Sequence, residues 1–294
     1  MYTTLARVRA ELKMDATVTT DDPLILGYIQ TVTSRIRHAF NEFEPQYGVE
    51  YFTAQAQHVS LALGGLNLVN HKGQRLLLAS STDVPSIVSD GVTLVYNSDV
   101  YADPRDTTPI RRLRLNETST AWSNTWYPAG QQLLDSIVIT GWWGYRRNYA
   151  SEGWLPSGDS VQDAAGITAS ATTISVTSVG GQDYYFQTPR FSPGNLIRIE
   201  DEMCLVWAVN TTTNTLSVRR GVNGSTAAAH AMGAAISLWY PEDDVVRVAT
   251  RQAAYLYARR GAFEQIVTDG VATAIYPRDL VAELYATIQG FMNE

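Results

Sequence analysis

The sequence predicts an α+β protein: terminal helices forming an antiparallel helical bundle, interrupted by two inserted antiparallel β modules of sandwich or barrel type. Three observations predict it. Apolar residues recur at helical spacing near both ends of the 294-residue chain. Short alternating runs, separated by glycine, proline and asparagine, fill the middle. Neither terminal pair of helices can bury its apolar stripe alone, so packing all four together is the economical solution. The expected partition is a helical bundle from 1–47 and 241–294, a first β domain over 48–160, and a smaller barrel-like domain over 166–240.

The elements follow in order. "TTLARVRAELKM" puts Leu5, Val8 and Leu12 on one helix face, with Thr3 or Thr4 as the cap. "DDPLILGYIQTVTSRIRHAFNEF" opens with Asp22 before Pro23, an N-cap and first-turn pair. Its stripe runs Ile25, Ile29, Val32, Ile36, Ala39 or Phe40, and Phe43. Strand-like runs come next, among them "VEYFTAQAQ", "QRLLLAS", "VTLVYNS", "IRRLRL" and "SIVITGWWGY". "TTISVTSV", "NLIRIED", "EMCLVWAV", "TLSVRRGV" and "AAISLWY", joined by short turns, form the second β block. Helix returns at Pro241, with Glu242, Asp243 and Asp244 in a first turn where the helix dipole favours anions. Val245, Ala249, Ala253 or Gln252, Leu256 and Tyr257 supply its buried face, and Arg259, Arg260 and Gly261 its end. A last helix opens at Pro277 and carries Leu280, Leu284, Ile288 and Phe291 at helical spacing.

Composition excludes several function classes. The formal net charge is −7 and the pI near 5.2, which argues against wrapping duplex DNA, because phosphate binding needs clustered Lys and Arg. DNA passing an acidic wall is compatible with that balance. The single cysteine, Cys204, rules out an intramolecular disulfide framework and a cysteine-based zinc site. It lies in a strand-like run and reads as a small buried apolar residue. No apolar run reaches the roughly 18 residues of a membrane span, and the N-terminus lacks a signal-peptide core. The expectation is a soluble chain, intracellular where it is made.

Catalytic apparatus is sparse. No phosphate-binding GxxxxGK[ST], no GxGxxG between strand and helix and no HExxH occurs, and His38, His58, His71 and His230 fall on different elements. The acidic Glu200–Glu202 run reads as a tight turn between strands, and the Glu242–Asp244 run as helix-end charge. Asp103, Asp106 and Glu117 are acid candidates only in the sense that a glycosidase cleft would need paired carboxylates. "RRGVNGSTAAAHAMGAAI", residues 219–236, looks most like a catalyst, with Ser225 as nucleophile and His230 as base. It lacks the GxSxG of a nucleophile elbow and lies between two alternating strands, so it reads as a connection. Trp122, Trp126, Trp142, Trp143 and Trp154 lie close in sequence. They read as core or protein interface rather than as a sugar-stacking platform. Trp126, Trp142, Trp143, Tyr145, Arg146 and Arg147 are the interface candidates, and Arg111–Arg112 and Arg146–Arg147 read as salt-bridged pairs. No catalytic, cofactor or metal residue is assigned.

Taken together, the opening "MYTTLARVRAELKM…DDPLILGYIQTVTSRIRHAF" and the closing "YPEDDVVRVATRQAAYLYARRGAF…YPRDLVAELYATIQGFM" resemble tailed-phage head-to-tail connector (adaptor) proteins. "ITGWWGY" and "GNLIRIEDEMCLVWAV…LSVRRGVNGSTAAAHAMGAAI" are similar to β segments inserted in phage neck and virion proteins. The resemblance covers helical ends of about 100 residues and two middle patches, and the β insertions depart from the smallest, nearly all-helical members. It implies a non-enzymatic virion protein of the neck that forms a homo-oligomeric ring, usually twelvefold, docked on the portal protein. Such a ring extends the DNA channel, lets genomic DNA pass without sequence-specific binding, and meets a stopper or tail-terminator protein on its other side. By the same resemblance Pro277, Leu280, Leu284, Ile288, Phe291 and Glu294 are the candidate portal contact. Membranes and cofactors have no part in it. The alternatives are another neck, tail-completion or baseplate protein, and a β-rich carbohydrate-binding or -degrading virion protein.

Overall fold

The structure, a computed structural model, describes residues 1–15, 17–40, 44–54, 66–68, 74–77, 85–89, 91–105, 109–116, 118–119, 133–144, 149–260, 265–268 and 271–274. Its class is α+β, with mostly antiparallel sheets. The chain opens with α1 (Leu5–Glu11) and α2 (Asp22–Phe40). Strands β1 (Gln46–Ala54), β2 (Leu66–Asn67), β3 (Arg75–Leu77), β4 (Ser86–Ser89), β5 (Val92–Leu94), β6 (Val100–Asp103), β7 (Arg112–Leu115) and β8 (Leu133–Gly144) follow. After a π-type turn at Tyr149–Gly153 come β9 (Trp154–Ser160), β10 (Thr173–Ser175), β11 (Leu196–Ile199), β12 (Glu202–Asn210), β13 (Thr215–Arg219) and β14 (Ala235–Trp239). Helix α3 (Asp243–Ala258) and the hairpin strands β15 (Gln265–Thr268) and β16 (Val271–Ala274) close the described chain.

The chain divides into two compact units: residues 1–40, 155–222 and 226–294 make the first, and 41–154 with 223–225 the second. This division runs differently from the one read off the sequence, because the terminal helices and the second β block share a unit.

Within the first unit, Thr4 caps α1, its hydroxyl accepting from the Arg7 N–H at 3.4 Å. The predicted stripe of α2 is real as far as Ile36: Ile25, Ile29, Val32 and Ile36 are fully buried. Each such side chain contributes about 2 kcal/mol by leaving water. Ala39 is exposed, and Phe43 lies outside the described residues. Helix α3 buries Val245, Ala249, Gln252, Ala253 and Tyr257, while Leu256 is only half-buried. The three described helices pack on one another. A hydroxyl pair, Thr3 with Thr250 at 2.7 Å, joins the start of the chain to α3. The Tyr257 hydroxyl donates to Asp21, and Arg260 lies 3.9 Å above the Tyr257 ring. The last predicted helix, with Pro277, Leu280, Leu284, Ile288, Phe291 and Glu294, lies outside the described residues.

The same unit holds a six-stranded sheet in the order β10-β13-β12-β11-β14-β9. Its two ends meet, because the Gln162 N–H just past β9 donates to the Ser175 carbonyl of β10 at 2.9 Å. The sheet therefore curls around one core, in which Ile174, Phe191, Ile197, Ile199, Cys204, Val206 and Leu216 are completely buried. The chain start seals against this sheet: Leu5 N–H donates to the Pro193 carbonyl at 3.0 Å, and Ala6 N–H to the Ser192 hydroxyl at 3.1 Å. Gly194 permits the approach, since its φ is +104° and a Cβ there would lie 2.6 Å from the Thr3 carbonyl oxygen.

In the second unit the 12-residue β8 is central. One edge of β8 pairs with β1; the other takes β4 and then β3, with β5 beyond β4. A three-stranded sheet, β2-β7-β6, completes the described part. Phe52, Leu68, Leu76, Ile87, Ile110, Leu113, Ile139 and Trp143 form its core.

Candidate functional site

The catalyst-like loop is the place to test for chemistry, and its residues are held by a buried ion network of the first unit. Glu202 opens β12 immediately after the two-residue turn Glu200–Asp201, where Glu200 takes the left-handed φ of +53°. The turn predicted from the acidic run is thus present. What the sequence did not reveal is the direction of Glu202: its side chain is 1% exposed. The Arg220 guanidinium meets it fork to fork, Nε to Oε1 and Nη2 to Oε2, both at 2.6 Å. Backbone N–H groups of Gly221 and Ala228 each add a hydrogen bond at 3.0 Å. The other Arg220 hydrogens go to the carbonyls of Thr168, Ala171 and Ala228, at 3.0, 3.1 and 2.5 Å. All five guanidinium donors are thereby satisfied.

His230 completes the arrangement. Its Nε2 is 2.9 Å from Glu202 and its Nδ1 2.8 Å from Glu200, with the ring 1% exposed. Its backbone pairs with Ile167 in both directions, at 2.8 and 2.9 Å. Burial by itself would raise the Glu202 carboxyl's pKa. The donors on Arg220, Ala228 and His230, with the Arg220 charge, outweigh that and pull it down to about 2.

This geometry ties the loop down through Glu202, Arg220 and His230. Both nitrogens of His230 are engaged by carboxylates, Nδ1 by Glu200 and Nε2 by Glu202. Glu202 cannot serve as an acid at neutral pH. Cys204 is completely buried, and burial, aided by the nearby Glu202 charge, pushes its thiol up to about 12, so it is no nucleophile. No group of three or more His, Cys, Asp or Glu among the described residues is placed to hold a metal ion.

The remaining candidates are dispersed. Trp142 and Trp143 are 4% and 1% exposed, so neither presents a face for sugar stacking. Trp142 packs against Tyr47 with centroids 5.0 Å apart, and Trp143 against Phe52 at 5.7 Å. Asp103 pairs with Arg112 at 3.4 Å across β6 and β7. Glu242–Asp244 mark the start of α3, and Asp244 reaches Arg247 at 3.3 Å. Trp122, Trp126, Tyr145, Arg146, Arg147, Asp106, Glu117, His58 and His71 lie outside the described residues. A cleft of about 130 Å³ in the first unit, lined by Arg7, Asp183, Thr188, Asn195, Trp239 and Tyr240, brings together none of the sequence-derived candidates. In it the Tyr240 hydroxyl donates to Asp183 at 3.0 Å. Burial and that carboxylate's charge raise the phenol's pKa, so this tyrosine is no base.

Comparison with known proteins adds no assignment: no family model matches the chain, and no curated protein matches it. Among the described residues no helix is long and apolar enough to cross a membrane.

Proposed function

We propose that the chain is a structural subunit of the head-to-tail connector of a tailed phage. In this reading it assembles as a ring, twelvefold by the resemblance, docks on the portal, extends the DNA channel and joins it to a stopper or tail-terminator protein. It acts in the virion neck and performs no reaction. The observation that supports it most is the packing of α1 and α2, from the start of the chain, with α3 from beyond both β blocks. Helices that bracket β insertions and pack together are what the connector resemblance leads one to expect.

A second support comes from the one catalyst-like segment, whose Glu202, Arg220 and His230 are consumed in holding a loop. The acidic balance of the chain suits a wall past which DNA slides. Fold-level analogy is an associational ground for function, so the deciding experiment is direct. Electron cryomicroscopy of the chain mixed with its cognate portal should show a collar seated on the portal ring. Recovery of the chain in trimeric spikes, or no binding to portal, would remove the proposal.

A further inference from the structure

His230 faces two hydrogen-bond acceptors at once, the Glu200 carboxylate 2.8 Å from Nδ1 and the Glu202 carboxylate 2.9 Å from Nε2. A neutral imidazole has one N–H and one lone pair, so it satisfies one carboxylate and turns a lone pair on the other. The ring cannot swing away from this conflict. It is 1% exposed, and the His230 backbone pairs with Ile167 in both directions. Glu202 is fixed by Arg220 and by the N–H groups of Gly221 and Ala228. Glu200 is 64% exposed, so water solvates its charge. The groups around the ring come from three elements. The turn between β11 and β12 supplies Glu200 and Asp201, both bonded to Arg198 of β11, at the Glu200 carbonyl and the Asp201 carboxylate. Strand β12 supplies Glu202 and the Cys204 thiol, which donates to Glu202 at 3.4 Å. Arg220 follows β13, and Ile167 brings only its backbone. Two carboxylates thus meet the ring against one guanidinium, and an imidazolium supplies the second positive charge.

From this geometry we infer that His230 is a proton-operated clasp: as an imidazolium it donates to Glu200 and Glu202 together and closes the β11–β12 turn onto the 228–230 segment. Loss of one ring proton withdraws one donor. The bond that goes is the one to Glu200, because that side chain can turn out to water, whereas Glu202 stays held by Arg220. The turn then loses its tie at a residue with φ of +53°, a conformation that persists only while the surroundings enforce it. Rising pH therefore opens the turn and falling pH closes it, which is the sense in which a histidine gates a contact. The device lies wholly in the first unit and stands independently of the connector reading.

Ring proton–nitrogen NMR of the full chain labelled with ¹⁵N-histidine tests it, with His230→Gln assigning the signals. At about pH 5 both His230 nitrogens should carry a proton. As pH rises, the Nδ1 proton should be lost while the Nε2 proton stays. The amides of Glu200–Glu202, corrected for the pH dependence of an unstructured peptide, should exchange faster with the same midpoint. Glu200→Ala removes one acceptor and should move that midpoint down by about one pH unit, a tenfold loss of proton affinity. If His230→Gln does not fold, Glu200→Ala both identifies the signal and decides, because it alters an exposed side chain. A ring with a single proton at the lowest pH, or one that keeps both until the chain unfolds, overturns the inference. So does a midpoint unchanged in Glu200→Ala, or turn amides indifferent to the ring's proton.

Discussion

Glu202 and Arg220 are each other's solvent. With the carboxylate 1% and the guanidinium 6% exposed, neither can turn to water if its partner is removed. Breaking such a pair from one side costs about 3–5 kcal/mol. Glu202→Gln and Arg220→Met should each lower stability accordingly, while Asp201→Ala, at a side chain 88% exposed, should leave it within about 0.5 kcal/mol of the parent. Equal effects of all three substitutions would contradict the network's role. The pH dependence has a definite sign. Folding depresses the Glu202 pKa from 4.5 to about 2, so its contribution is fully present above 4.5 and is lost as pH falls towards 2. It amounts to roughly 3 kcal/mol. Urea titrations between these limits should show stability falling in the parent and falling less in Glu202→Gln.

At the scale of the elements, backbone fit decides as much as burial. Gly194→Ala should destabilise the first unit, because φ of +104° and the Thr3 carbonyl both oppose a Cβ there. Thr4→Ala removes the α1 cap and should cost about 1 kcal/mol, and Ile29→Ala in α2 about 2–5 kcal/mol. Thermal unfolding of the three variants measures all of these, and an Ile29→Ala protein as stable as the parent would mean that α2 does not pack as described. The helices were legible in the sequence because Ile25, Ile29, Val32 and Ile36 repeat at helical spacing, and the second β block because its strands alternate. The β15–β16 pairing has a signal in the sequence too: "QIVTDGVATA" carries Asp-Gly between β-branched runs. The direction of Glu202 could not be read in the same way. An acidic residue beside a turn is usually solvated, and its burial depends on Arg220, 18 positions away. Spacing carries no information about a pairing of that kind.

For the whole molecule, the helices fold together with the second β block, joined through the Leu5–Pro193 and Ala6–Ser192 hydrogen bonds. Separate expression should reflect this. A fragment of residues 155–240 without the helices loses the segment that covers Pro193 and Gly194, and it should be less stable than the same block within the chain. The central claim concerns assembly, and imaging the chain bound to its cognate portal ring tests it most directly. The account predicts a closed collar of twelve subunits coaxial with the portal channel. A chain that stays unbound, or that appears elsewhere in the virion, would contradict it.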